Sequence, residues 1–333
     1  MSNKTVTRED VARLANVSPT IVSYVLNNSN YVSKEKREQV LKAVKELNYI
    51  PNQLARGLRT SRSSQFIFVC DNIQAELFEA VESRLFEHGY YVSLNYSRNT
   101  EEFLNMLVSR QPEGIFMATN VFEAQQLNGI AESGIPIILY KTKKYEELNP
   151  RIITVVPDYY DAVKKSMDYL ILKGHKRIGL IPPVKYMTKG ITGSDFRVKA
   201  YVEALERNGI PVLPELVCTR TQSLEDIYEE VFRIVVSSDK DKKPTALVIG
   251  NDYLAAQIMQ YLKKLNIRVP DDLSIIGCDN TQIAPLMAPA LTTVDVSKDR
   301  LAESYVEKML AMIEGRAVEE EFVGVKLIIR ESA

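Results

Sequence analysis

Apolar residues at helical spacing open the chain. Thr7-Arg8-Glu9-Asp10 has the form of a capping box, a Thr hydroxyl accepting an orphan amide while Asp10 reaches back, and Val11, Leu14 and Ala15 then line one face of a short helix. Asn16-Val17 breaks it. Ser18, a favoured N-cap, and Pro19, whose missing amide costs nothing at a first helical position, restart a helix over Pro19 to Asn27. Its buried side is Val22, Val25 and Leu26, leaving Thr20, Ile21, Ser23, Tyr24 and Asn27 on or near the other. Ser33 is expected to cap a third helix, with Val40, Ala43, Val44 and Leu47 inward, ending near Asn48. Two helices so close read as a helix-turn-helix, whose second helix offers groups able to meet base edges, methyls and phosphates; a plain helical bundle has the same pattern.

Pro51-Asn52 leads into Gln53 to Arg59 and a polar run, Thr60 to Ser64. The segment can form a short helix with Leu54 and Leu58 on one side, although Gly57 costs about 1 kcal/mol against Ala. It is expected to fold against a partner, with Arg56 and Arg59 beside phosphates. From Phe66 the period changes. Apolar runs at 66–70, 91–94, 114–118 and 136–140 each precede or follow a helix-length amphipathic stretch, and a second series has strands at 177–181, 246–249 and 273–277. The predicted fold class is α/β: an N-terminal helix-turn-helix, then two similar doubly wound lobes with parallel sheets. A final helix, Lys298 to Ile313, and one strand, Val323 to Ile329, return to the lobes.

Charge divides the chain at the same place. Residues 1–64 hold 11 basic against 5 acidic residues, +6, and the remainder carries −7 within a total of −1. A basic head on an acidic body points to a polyanionic partner for the head. Three cysteines without paired spacing argue against a disulfide scaffold or thiolate metal site, and two histidines against a multi-histidine centre, leaving only a carboxylate Mg site open. No cofactor, metal or catalytic residue is predicted: no Gly-rich phosphate fingerprint, Walker A run or nucleophile elbow follows a strand. The opening residues lack the apolar core of a signal peptide and no run can span a bilayer, so the expected location is cytoplasmic, without a membrane partner.

In doubly wound sheets ligands bind beyond the carboxyl ends of the strands, which singles out Asp71, Lys141, Asn251-Asp252 and Asp279. The aspartates could serve general acid–base chemistry; each also reads as a cap or turn residue.

In this order the parts resemble the LacI/GalR family of bacterial transcription regulators over essentially the whole length. The resemblance is carried by Thr7 to Ala15, Val17 to Ser23, Val25-Leu26-Asn27, Leu47 to Asn52, Leu54 to Leu58, Gly174 to Ile178, Asn251-Asp252, Val269 to Gly277 and Leu291 to Val294. It implies a homodimer that sets its second helices in the major grooves of a pseudo-palindromic double-stranded DNA operator. Thr20, Tyr24 and Ile21 would read bases; Ser18, Ser23, Asn27, Tyr31 and Asn52 would hold the backbone, with Thr7 and Pro19 on the same surface. Leu58, flanked by Ala55 and Arg59, would wedge into the minor groove. The implied domains are a headpiece, 1–50; a hinge, 51–64; and an effector and dimerisation domain, 65–333. Its N-lobe would span about 65–157 and 297–317, its C-lobe about 158–292 and 318–333. A small effector, a sugar or sugar phosphate, would lie between the lobes against Arg197, Asn251 and Asp279, with Asp71, Lys141, Phe196 and Asp252 nearby. Asp271-Asp272 and His175 look structural.

Departures from the family pattern narrow this expectation. Tyr24 stands where Arg is common, removing a bidentate guanine contact. Asp71-Asn72-Ile73 is shorter than the usual pocket wall, and there is no Trp in the chain. Without an aromatic near Thr221-Gln222-Ser223, Tyr140, Tyr159, Phe196 or Tyr253 is left as a ligand platform. Lys141, with Lys143 and Lys144 beyond it, replaces the usual Asp and suggests an anionic effector. No heptad tail follows the last strand, which favours a dimer over a tail-made tetramer. The expected function is an effector-responsive repressor of a sugar catabolic or transport operon and not an enzyme, the rivals being a solute-binding receptor and a sugar-modifying enzyme.

Overall fold

The structure, a computed structural model, describes residues 6–27, 31–50, 63–71, 75–119, 121–140, 145–183, 196–236 and 242–333. The chain divides into two units between Ser63 and Ser64.

The first unit is a three-helix headpiece: α1 (Arg8–Leu14), α2 (Pro19–Asn27) and α3 (Lys34–Glu46). The capping box is formed: the Asp10 amide donates to Thr7 Oγ1 at 3.3 Å, and the Thr7 amide donates to Asp10 Oδ2 at 2.9 Å. Asn16, at φ +50°, reverses the chain, a conformation Asn tolerates better than most residues. The Ile21 amide then donates to Ser18 Oγ at 3.4 Å. Ser33 is the N-cap of α3, as expected, but its side chain makes no cap bond and the Arg37 amide donates to the Ser33 carbonyl instead. One expectation is corrected. Leu14 is exposed; Ala12 is buried in its stead, in one cluster with Val11, Ala15, Val22, Val25, Val40 and Ala43.

The second unit holds two sheets. The first has the order β10-β5-β4-β3-β1-β2, all parallel, from β1 (Gln65–Cys70), β2 (Tyr91–Tyr96), β3 (Gly114–Ala118), β4 (Ile137–Leu139), β5 (Ile152–Pro157) and β10 (Glu321–Val323). Strand alternation sorts its side chains. Phe66, Phe68 and Phe116 pack under α4 (Ala75–Glu87) and α11 (Lys298–Ile313); Ile67, Val69 and Ile115 pack under α5 (Glu101–Ser109) and α6 (Ala124–Glu132). The second sheet has the order β11-β9-β8-β7-β6, from β6 (Ile178–Ile181), β7 (Ala246–Ile249), β8 (Ser274–Asp279), β9 (Thr292–Asp295) and β11 (Lys326–Ile328), the last antiparallel to β9. The helices α7 (Tyr159–Leu172) and α8 (Phe196–Arg207) cover one face, α9 (Leu224–Val236) and α10 (Asp252–Lys264) the other.

This is the expected architecture, an N-terminal helix-turn-helix and a two-lobed parallel-sheet α/β body. The chain crosses between the sheets three times, after Pro157, Asp295 and Val323. The expected single strand over 323–329 is two, because Gly324 separates a piece that pairs with β5 from one that pairs with β9. Residues 321–323 thus lie in the first lobe and not, as expected, in the second.

Candidate functional site

In the headpiece, α2 turns Val22 and Val25 into the core, which leaves Ser18, Pro19 and Thr20 exposed and Ile21, Ser23 and Tyr24 partly so; Tyr31 is exposed beyond the helix. This is an apolar-backed polar face, with no acidic residue in the first turn of α2. Thr7 is partly committed, its hydroxyl donating to Asp10 Oδ2 at 2.8 Å. Asn27 ends α2. Asn52, Ala55, Leu58 and Arg59, expected in a hinge, lie outside the described residues, as does Lys141.

In the body, the strand ends bring a second set of groups together. Tyr140 follows β4 in the first lobe and Tyr159 opens α7 in the second; their hydroxyls are hydrogen-bonded. The Arg197 guanidinium, 7% exposed at the start of α8, lies over the Tyr159 ring, 4.1 Å from its centroid, a cation–π contact that fixes its plane. Asp279 ends β8 with φ +101°, a conformation costly for a residue with a Cβ, such as persists where the surroundings enforce it. Across from it, Lys298 opens α11 in the first lobe, Nζ 3.8 Å from Asp279 Oδ1.

Burial, reinforced by Asp279, pushes the Tyr140 phenol up to about 12. Tyr159 is raised further, again chiefly by burial, and so is the Cys278 thiol. Both phenols and the thiol are therefore neutral hydrogen-bonding or packing groups near neutral pH. Burial opposes the Lys298 ammonium, but Asp279 and the other groups around it more than offset that, so its affinity for the proton is above the ordinary value. Beneath Arg197, an apolar recess opens at the ends of β6, β7 and β8, walled by Ile181, Val248, Gly277 and Cys278 among others.

The remaining strand-end residues have other tasks. Asp252 is fully buried: Oδ1 accepts from Thr293 Oγ1 at 2.5 Å, and Oδ2 from the Thr281 amide at 2.7 Å and hydroxyl at 3.2 Å. Gly277 makes room for it, since a Cβ there would stand 2.5 Å from Asp252 Oδ1. Its carboxylate ties the β8–β9 end together. Asn251 Oδ1 caps α10 by accepting the Leu254 amide at 2.8 Å. Asp71 accepts hydrogen bonds from Ser97 and Thr119 at the ends of the first sheet's strands. Phe196 and Tyr253 are exposed. Asp272 pairs with Arg268, and His175 Nδ1 lies 2.8 Å from Thr245 Oγ1, both away from the cleft set. Lys298 was not singled out by its sequence, because a lysine at the first position of an amphipathic helix has the signature of a solvated charge; only the second crossing carries it into the cleft. Among the described residues no cluster of His, Cys, Asp and Glu suits a metal ion, and no helix is long and apolar enough to cross a membrane.

Residues 7–52 match the family described as bacterial regulatory proteins, lacI family, and residues 167–333 match the periplasmic binding protein-like domain. The chain is 32% identical to the NTD biosynthesis operon regulator NtdR of Bacillus subtilis (strain 168), over 98% of this chain and 99% of that one. It is 29% identical to the HTH-type transcriptional repressor PurR of Histophilus somni (strain 2336), over 98% of each. In fold it is similar to the lac repressor dimer bound to operator and the anti-inducer ONPF, with a TM-score of 0.82, 24% identity and 99% of each chain covered. The exposed polar α2, the two-lobed body and these relatives agree: the chain belongs to the lacI family of bacterial transcriptional regulators.

Proposed function

We propose that the protein is a repressor that binds a pseudo-palindromic DNA operator as a homodimer and answers to a small effector, a sugar or sugar phosphate, held between its two lobes. The observation that carries the DNA-binding part is the α2 face: apolar residues hold it to the headpiece while Thr20, Ile21, Ser23 and Tyr24 stay available to a major groove. Thr20, Tyr24 and Ile21 read bases, and Ser18, Pro19, Asn27, Tyr31 and Thr7 line the backbone contacts. Residues 51–64 act as the hinge, with Asn52, Ala55, Leu58 and Arg59 at the minor groove. In the cleft Arg197, Asp279 and Asn251 are the effector's contacts, with Asp71 and Phe196 nearby, and Lys141 is a further contact on the strength of its sequence position alone. Its chemistry is regulation rather than turnover, in the cytoplasm, and the sugar assignment rests on the hydroxyl-rich and carboxylate-bearing strand ends.

Footprinting of the intact protein over DNA upstream of its own gene is the test. Protection of one pseudo-palindrome of two half-sites, requiring a higher protein concentration in Thr20→Ala, is the expected result. Uniform, sequence-independent protection would contradict it.

A further inference from the structure

Lys298 is placed where a helix least favours a cation. At the first position of α11 the helix dipole opposes its charge, and burial opposes it again. Its contact with Asp279, at 3.8 Å, is an ion pair beyond hydrogen-bonding distance. The Lys298 side chain is 24% exposed, so the ammonium, with its three N–H donors, sits in a sheltered place that solvent still reaches. The groups that act on it are Asp279, Tyr140, Cys278 and Glu76. Arg197 converges on the same place from the second lobe: it stacks on Tyr159, whose hydroxyl meets Tyr140, and Tyr140 feels the charges of Asp279, Lys298 and Arg197 together.

Resting on the reading of the cleft as the effector site, we propose that Lys298 is a ligand-binding residue which, with Arg197, receives an oxyanion group, phosphate or carboxylate, of a small polyhydroxy ligand. A charge-assisted pair with an oxyanion in a sheltered cleft supplies the short hydrogen bonds that Asp279 does not make with Lys298. Asp279 remains an acceptor for the ligand's hydroxyls, and the two cations reject an amine. Because Lys298 and Arg197 belong to different lobes, the oxyanion bridges them, and its charge rather than the sugar ring sets which ligands close the cleft.

The test is calorimetric titration of the full chain with a hexose 6-phosphate, the matching hexuronate and the unmodified hexose, for the wild type, Lys298→Met and Lys298→Arg. One or both charged probes are expected to bind at least tenfold tighter than the hexose. That advantage is lost in Lys298→Met, which keeps the stem and removes the charge, and is largely retained in Lys298→Arg. A merely structural lysine would shift the melting temperature and leave the charge preference intact. Equal affinity for hexose and charged probes, an unchanged preference in Lys298→Met, or no binding of either charged probe overturns the proposal. Operator binding by the same preparations separates that failure from failure of the regulator reading, which would abolish DNA binding as well.

Discussion

Lys298 Nζ stands 3.8 Å from Asp279 Oδ1, and the two residues belong to different lobes of the body. Beyond the three chain crossings, this ion pair and the Tyr140–Tyr159 hydrogen bond join the lobes at the cleft. With side chains 24% and 25% exposed, the pair is sheltered but not dry, a setting in which coupling energies run to about 1 kcal/mol. A double-mutant cycle with Lys298→Met and Asp279→Asn, read by denaturant unfolding, is expected to give a coupling of about that size that shrinks with salt. Strict additivity would deny the contact.

Asp252 gives stability a pH dependence of unusual sign. Burial pushes its carboxyl up to about 6, against the bonds from Thr293 and Thr281. Between the ordinary value near 4 and about 6 the folded chain keeps a proton that the unfolded chain has lost, so this group's contribution to stability falls as pH rises through that window and is constant above it. Asp252→Asn retains an oxygen for the Thr281 amide and presents its NH2 to the Thr293 hydroxyl. Melting temperatures across pH 4 to 7 are expected to fall less with rising pH in this variant than in the wild type; parallel curves would refute the shift.

Tyr305 carries the one side-chain oxygen that is buried without a hydrogen-bond partner among the described residues, while its ring stacks on Phe116 with centroids 5.9 Å apart. An unsatisfied buried hydroxyl costs about 1–3 kcal/mol. Tyr305→Phe keeps the stack and removes the cost, so it is expected to raise the melting temperature by about 2–4 °C, taking about 1 kcal/mol as the gain in a unit of this size. A lowered melting temperature would mean the hydroxyl has a partner.

The headpiece separates folding from recognition. Thr7→Ala removes the capping box and is expected to cost about 1 kcal/mol of headpiece stability, seen as earlier loss of helical signal in thermal unfolding. Thr20→Ala changes an exposed group and is expected to leave unfolding unaltered, and Tyr24→Ala, at a partly exposed position, to change it little; each is expected to weaken operator binding by about 1–3 kcal/mol without changing its salt dependence.

Much of this was legible in the residues, for reasons that differ by element. The headpiece declared itself through Thr7, Ser18 and Pro19, because caps act locally. The alternation of apolar strand runs with amphipathic helices points to the two lobes because a change of hydrophobic period marks each element. The strand Ile152–Pro157 is hard to read although its run Ile-Ile-Thr-Val-Val carries the β-branched signal, since the polar segment 141–151 separates it from the apolar run at 136–140. Strand-end position points to Asp279 and Asp252 alike, but the burial of Asp252 depends on Thr281 and Thr293 arriving from elsewhere in the chain, which no local pattern shows. Lys298 was illegible because periodicity describes one helix at a time, while its role arises from where the crossing after Asp295 delivers the helix start.

The most direct test of the whole account is the affinity of the intact protein for its footprinted duplex, followed by fluorescence anisotropy at several salt concentrations with and without the hexose 6-phosphate and the hexuronate. Tight, salt-sensitive binding that a charged ligand changes at least tenfold is expected, a change abolished in Lys298→Met while its ligand-free affinity is preserved. Specific binding indifferent to every ligand, or modulated equally in Lys298→Met, would contradict it.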